Sequence, residues 1–392
     1  MKVEFWILDV NYEVVGGVPE VRMWGIDRDG NRVVVVDRSF RPYFYVLAEE
    51  GREEDVARRI AALGKKYRLI SVEIVDKRYF GRPVKAIKVV CQIPRLVPEF
   101  REAAARVKGV REVLEADIRF YMRYMVDNHV YPCAWHEVEA EPLPNRHGWQ
   151  VDAVYLAKRP PRFLGTDNPP ELKVYAFDIE CYNSLGEPKP ERDPILIIAV
   201  RRGGETRLFV AEDKDDSRII REFVDDMRSF DPDVVVGYNS NRFDWPYILE
   251  RARRNGVKVN VSRAGGAPAQ SVYGHFSIVG RANVDLYDFA EEIHEVKVKT
   301  LENVADYLGV RRKDERVIIE GAFIYKYWDD PSLRPTLLQY AKDDVESTYG
   351  LAEKFLPFGI QLSSIVGLTL DQVMAASVGN RVEWHLIRQA YE

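Results

Sequence analysis

In the run Val174-Tyr175-Ala176-Phe177-Asp178-Ile179-Glu180, two acids alternate with bulky apolar residues. Side chains of an extended strand point to alternate faces, so Asp178 and Glu180 share one face and Tyr175, Phe177 and Ile179 the other. Two like charges on one face of an apolar strand are costly unless a cation neutralises them. Taken alone, the pair equally suits a strand end emerging into water. A further acid closes Tyr238-Asn239-Ser240-Asn241-Arg242-Phe243-Asp244, where a short apolar strand delivers Asn239 and Asp244 stands at the start of a helix. By itself Asp244 also reads as the cap of that helix. The last segment, Tyr340-Ala341-Lys342-Asp343-Asp344, lies within a helical pattern. At about 100° per residue, Leu337, Ala341, Asp344 and Thr348 form one stripe, while Asp343 is expected on the opposite side. Tyr340 and Asp344 stand at i and i+4 and are neighbours on one face.

As a set, Asp178, Glu180, Asp244 and Asp344 offer oxygen ligands without histidine or cysteine. That donor set fits Mg²⁺ or Mn²⁺ and not zinc. Such a cluster can hold two ions about 3.5–4 Å apart, the arrangement for in-line displacement at phosphorus. One ion would acidify the attacking water, and the other would stabilise the leaving 3′ oxygen. The order is specific as a whole: an acid pair on a strand, an acid after a strand, then Y-x-x-x-D on a late helix.

The elements around these residues read as α/β. Glu171–Asn183, the run PILIIAVRRG and the run TRLFVAE are expected as three successive strands. A helix over Ser217–Phe230, a strand DVVVGYN and a helix ending at Gly256 follow. Residues 257–283 resemble an inserted hairpin, and two more helices are expected after Thr300 and near Pro335. The first 130 residues mix strands with helices over Glu53–Leu63 and near Val97–Val107. Between Cys133 and Pro170 a cluster of prolines (Pro142, Pro144, Pro160, Pro161, Pro169 and Pro170) predicts a linker. A domain boundary is therefore expected there.

At 392 residues the chain is long enough for two or three domains. With 46% apolar and 30% charged residues it has a globular composition. No stretch reaches the ~18 apolar residues of a membrane span. Its three cysteines are widely spaced and lack a CxxC, so neither a disulfide framework nor a zinc cluster is expected, and a cytoplasmic location fits. A net charge of −5 argues against gripping nucleic acid with the whole surface, though not against a local basic groove.

The segments FDIE, YNSNRFD and YAKDD resemble the three exonuclease motifs of family B DNA polymerases, DEDD nucleases with a tyrosine in the third motif. ILDVNY, RPYFY, GRANVDLYDF and the final IQLSSIVGLTLDQV…SVGNRVEWHLIRQAYE extend the likeness to archaeal members along the whole chain. The resemblance implies an RNase H-like exonuclease domain with a mixed sheet flanked by helices, plus an α+β N-terminal domain. It divides the chain into an N-terminal template-recognition domain (1–135), an exonuclease domain (136–357) and a segment (358–392) that returns to the first domain and leads towards a palm. It further implies that Asp178, Glu180, Asp244 and Asp344 hold Mg²⁺ or Mn²⁺, that Tyr340 orients the attacking water, and that Asn239 and Phe243 contact the frayed primer end. Tyr12, Pro42, Tyr43, Pro94, Val97 and Arg123 stand where archaeal members capture a template uracil. Prolines and Val97 suit flat walls that exclude a thymine methyl, and Arg123, among alternating basic and aromatic residues, suits phosphates and bases. The implied partners are primer and template DNA and the polymerase domains, with no membrane. The SLYPS-like, YxDTD-like and Kx3NSxYG segments of palm and fingers do not occur in this sequence. The chain therefore reads as the N-terminal and proofreading portion of a polymerase, with a DNA-binding and uracil-sensing module or a free-standing DEDD nuclease as the alternatives.

Overall fold

The structure, a computed structural model, describes residues 1–271 and 274–391. Its architecture is set by three main sheets, each covered by helices that carry complementary apolar stripes.

The first sheet orders its strands Lys2–Val15, Val18–Asp27, Arg32–Asp37, Ala153–Ala157, Trp135–Pro142 and Arg162–Gly165. Lys2–Val15 also pairs antiparallel with Trp135–Pro142, Trp6 facing Trp135, so the sheet closes on itself. This corrects the linker reading of the proline-rich stretch. Residues 136–165, expected to open the exonuclease domain, supply three strands of the N-terminal sheet, and the prolines stand mainly between them or at their ends.

A second, antiparallel sheet orders Leu69–Tyr79, Arg82–Cys91, Tyr43–Ala48 and Val110–Leu114. The helices Glu53–Ala62 and Val97–Ala105 cover one face through Val56, Ile60, Phe100 and Ala104, all buried against Phe44, Val46, Ile87 and Val89. Gly64 starts a short helix, Gly64–Tyr67, directly after the first, and Arg68 takes the left-handed conformation at φ 49°.

The third sheet is mixed, in the RNase H-like arrangement. Glu205–Val210, Ile195–Arg202 and Val174–Cys181 run antiparallel, and Val234–Gly237 and Ala282–Asp285 run parallel to Val174–Cys181. Alternation along the central strand does what the sequence requires. Tyr175 and Phe177 pack on Phe223 of the helix Ser217–Phe230, and Phe177 lies 4.8 Å from Trp245 of the helix Asp244–Arg254. The long helix Arg334–Val366 packs on this sheet, and its Leu337, Ala341, Asp344 and Thr348 stripe is buried.

A short hairpin, Ala269–Gln270 with Phe276–Ser277, occupies the expected insertion; its positions 272 and 273 lie outside the described residues. The final segment, whose last position 392 is likewise outside, turns back onto the first unit. Gln372 donates to the Tyr121 hydroxyl at 2.7 Å, and Arg388 donates to the Val130 carbonyl at 3.0 Å. Buried ion pairs join the sheets: Arg32 and Arg263 both grip Asp233, at 2.7 and 2.8 Å. Among the described residues no helix is long and apolar enough to cross a membrane.

Candidate active site

Three parallel strands end on one side of the mixed sheet, the side where ligands gather in open α/β sheets. The central strand brings Asp178 and Glu180 there, with a register shift between Glu180 and Cys181. Such irregularities re-aim side chains at strand ends. The long helix crosses the same end and contributes Asp344. Ligand oxygens of Asp178, Glu180 and Asp344 all lie within 4.8 Å of one another.

Asp244 joins from the second parallel strand. It is the first residue of its helix, not the cap, a place Phe243 takes. Its Oδ1 accepts the N–H of Ile179 at 3.2 Å, between Asp178 and Glu180 in sequence. Asp244 stands outside the three-acid cluster but is within electrostatic reach of both Asp178 and Glu180.

Burial and crowding show in the protonation of Asp178, Glu180 and Asp244. Burial pushes the Asp178 carboxyl up to about 7, against the opposing pull of Arg316. Burial, then the charges of Asp178 and Asp244, push Glu180 well up; burial, then Asp178 and Asp285, do the same to Asp244. Like charges that cannot all ionise, with only oxygen donors, fit hard divalent cations. The residues present therefore suit Mg²⁺ or Mn²⁺ on Asp178, Glu180 and Asp344, with Asp244 alongside.

Tyr340 lies next to this group, and burial followed by the charges of Glu180 and Asp178 raises its hydroxyl, so it stays a proton donor at neutral pH. Beside Glu180 opens a cleft of about 760 Å³ whose walls include Ile179, Phe243, Gly321 and Ile324. Asn239 is not among the residues lining it. It is half-buried at the head of the same turn, in the left-handed conformation at φ 63°.

Two residues here escaped the sequence reading. Arg316 follows a short turn of helix (Lys313–Glu315), and its buried guanidinium is ion-paired with Asp344. A single arginine in a loop carries no periodic signal that could have found it. Asp343 was expected on the side of the helix opposite Asp344, and it is 1% exposed. It pairs with Arg311 at 2.7 Å and accepts the N–H of Val317 at 2.8 Å. Opposite to Asp344 therefore means packed under the 311–317 loop, because that loop covers the second side of the helix.

Away from this centre, a cavity of about 320 Å³ opens in the first unit. All six residues expected there, Tyr12, Pro42, Tyr43, Pro94, Val97 and Arg123, line it. Arg123 has a different job from the one expected. It is 3% exposed, bonded to Glu115 Oε2 at 2.6 Å and laid over the Tyr43 ring at 4.7 Å, so it forms a wall and not a phosphate contact.

Comparison with known proteins agrees with this geometry. The description "DNA polymerase family B, exonuclease domain" matches residues 111–210 and 202–304. DNA polymerase 2 of Aeropyrum pernix is 51% identical over 98% of this chain and 49% of its own length. The DNA polymerase of Archaeoglobus fulgidus is 36% identical over 99% of this chain and 48% of its own. The solved family B DNA polymerase of Pyrobaculum calidifontis superposes with a TM-score of 0.92 at 53% identity, covering 99% of this chain and 50% of that one. The chain thus spans about half the length of the relatives it matches.

Proposed function

The chain belongs to DNA polymerase family B, and from that membership we propose that it hydrolyses single-stranded DNA from the 3′ end with two divalent ions, as the proofreading part of a longer polymerase. One observation carries the reading: the oxygens of Asp178, Glu180 and Asp344, within 4.8 Å of one another, meet beside a cleft walled by Phe243. When bound, the ions acidify the attacking water and neutralise the leaving oxygen. The protein's own residues do the rest. Phe243 presents an aromatic face to a terminal base. Tyr340, protonated, donates a hydrogen bond to the water or the scissile phosphate and so fixes the line of attack. Asp244, tied to Ile179, holds the helix head against the central strand. Release of mononucleotides from a labelled single strand in Mg²⁺ tests this. Asp178→Ala and Asp344→Ala are expected to abolish it, and parental rates in both variants would discard the ligand assignment.

A second reading, template-uracil sensing, is favoured by the cavity that Tyr12, Pro42, Tyr43, Pro94 and Val97 line together. Its 320 Å³ suits one flipped pyrimidine, and flat proline walls and Val97 leave little room for an added methyl.

A further inference from the structure

We propose that Asp285 is a positioning residue for the acid site, fixing the turn 238–243 so that Asp244 and Phe243 meet the end of a DNA strand. The inference rests on the nuclease reading above and adds a residue to it.

The strands Val234–Gly237 and Ala282–Asp285 end side by side, with Gly237 opposite Asp285. Beyond Gly237 the chain must reverse within a few residues to start the helix Asp244–Arg254. It does so through Asn239 in the left-handed region, and a Cβ on Gly237 would come within 2.4 Å of the Ser240 side chain. So tight a reversal leaves backbone N–H groups without partners in the sheet. Asp285 takes two of them, one on each oxygen: Asn239 N to Oδ1 at 2.7 Å and Asn241 N to Oδ2 at 2.8 Å. Its Oδ1 also accepts the Tyr287 N–H at 3.0 Å, capping the helix Leu286–Ala290. Asp285 is 2% exposed, and bonds from buried N–H groups to a carboxylate are the strong kind.

The same strand holds the far end of the turn. Asn283 Oδ1 accepts the Trp245 indole N–H at 3.0 Å, next to Asp244. Within the turn, the Asn239 carbonyl accepts from Phe243 N at 3.0 Å and the Ser240 carbonyl from Trp245 N at 2.9 Å. The turn therefore moves as one piece with Asp244. With its oxygens committed to backbone donors, Asp285 acts on the reaction through the turn and not as a ligand. Misplacing a reacting group by about 1 Å costs on the order of 100-fold in rate.

The test compares Asp285→Asn and Asp285→Ser with the parent chain. Asparagine keeps one acceptor oxygen and caps a helix as well as aspartate, and serine keeps a cap for Tyr287 but lacks the second oxygen for Asn241, so two variants probe the turn with folding conserved. Asp216→Asn serves as a reference, because Asp216 is an equally buried acid that accepts the Ile195 N–H at 2.9 Å and pairs with Arg251 at 2.6 Å, so it holds the same helix near its other end and not at the turn. Mononucleotide release from a 3′-labelled single strand is followed against Mg²⁺, with melting curves alongside. The Asp285 variants are expected to lose about 10- to 100-fold in kcat and to need more Mg²⁺ for half-maximal rate, while folded at the assay temperature. Asp216→Asn is expected to lower the melting temperature and leave both kinetic readouts near parental. Parental kcat and Mg²⁺ dependence in the Asp285 variants, or an equal shift in Asp216→Asn, overturns the positioning role alone. An inactive parent chain overturns the nuclease reading, and this proposal with it.

Discussion

The guanidinium of Arg316 is ion-paired with the carboxylate of Asp344, placing the protein's own cation among the acids that suit divalent ions. It also donates to Ser347 Oγ at 3.3 Å. Removing it leaves the acids uncompensated until a metal binds. Arg316→Ala is therefore expected to lower the melting temperature of the metal-free chain by several degrees. Mn²⁺ is expected to bind the variant more tightly than the parent, since a competing charge is gone. Titration calorimetry with Mn²⁺ checks this, and weaker binding by the variant would rule out the competition.

Protonation makes metal uptake depend on pH. In the folded chain Asp178 titrates near 7, up from 3.8, chiefly through burial. A raised acid binds its proton more tightly in the folded state, so the stability it confers is present below about pH 4 and lost as pH rises towards 7. Asp178→Asn removes that loss. The melting temperature of metal-free Asp178→Asn, relative to the parent, is expected to rise between pH 5 and pH 7 and to level off by pH 8. The difference between the two proteins is the quantity to follow, because burial pushes His136 down to about 4 and thereby acts on total stability in the opposite sense. A gap between the two proteins that stays constant over that range would refute the shift.

Asp343 is a structural acid beside a chemical one. Losing one partner of a buried, hydrogen-bonded ion pair costs about 3 kcal/mol. Asp343→Ala is expected to melt well below the parent yet hydrolyse single strands at a comparable rate at temperatures where both are folded. Loss of turnover as complete as in Asp344→Ala, in a folded protein, would move Asp343 into the reacting centre.

The cavity in the first unit makes a prediction independent of hydrolysis. Val97 is 7% exposed and lines it. Val97→Phe fills part of the 320 Å³ with a ring. Fluorescence anisotropy with oligonucleotides differing only in uracil or thymine is expected to show a uracil preference in the parent and in Asp178→Ala, and none in Val97→Phe. Equal affinities in the parent would remove the sensing role.

What the sequence made legible follows from the range of the interactions involved. Period-two alternation placed Asp178 with Glu180, and the helical repeat placed Asp344 under Tyr340, because both are local rules. The helix Ser217–Phe230 was read to its observed ends for the same reason. The strands between Trp135 and Gly165 were missed because Trp135–Pro142 and Ala153–Ala157 pair with Lys2–Val15 and Arg32–Asp37, more than a hundred residues away in sequence. They are short, and although Val138 and Ala140 alternate with Glu137, Glu139 and Glu141, the prolines that flank them mask that signal. Arg316 and the burial of Asp343 were invisible for a related reason. A helical wheel says which residues face away from each other, not which loop settles on the far side.

The ring of strands closed by Lys2–Val15 and Trp135–Pro142 bears on how this molecule can be taken apart. Excising the nuclease at its proline-rich approach cuts through that ring and strips Trp6 and Trp135 of their cover. The liberated N-terminal half would be left with raw edges ready to pair with strangers.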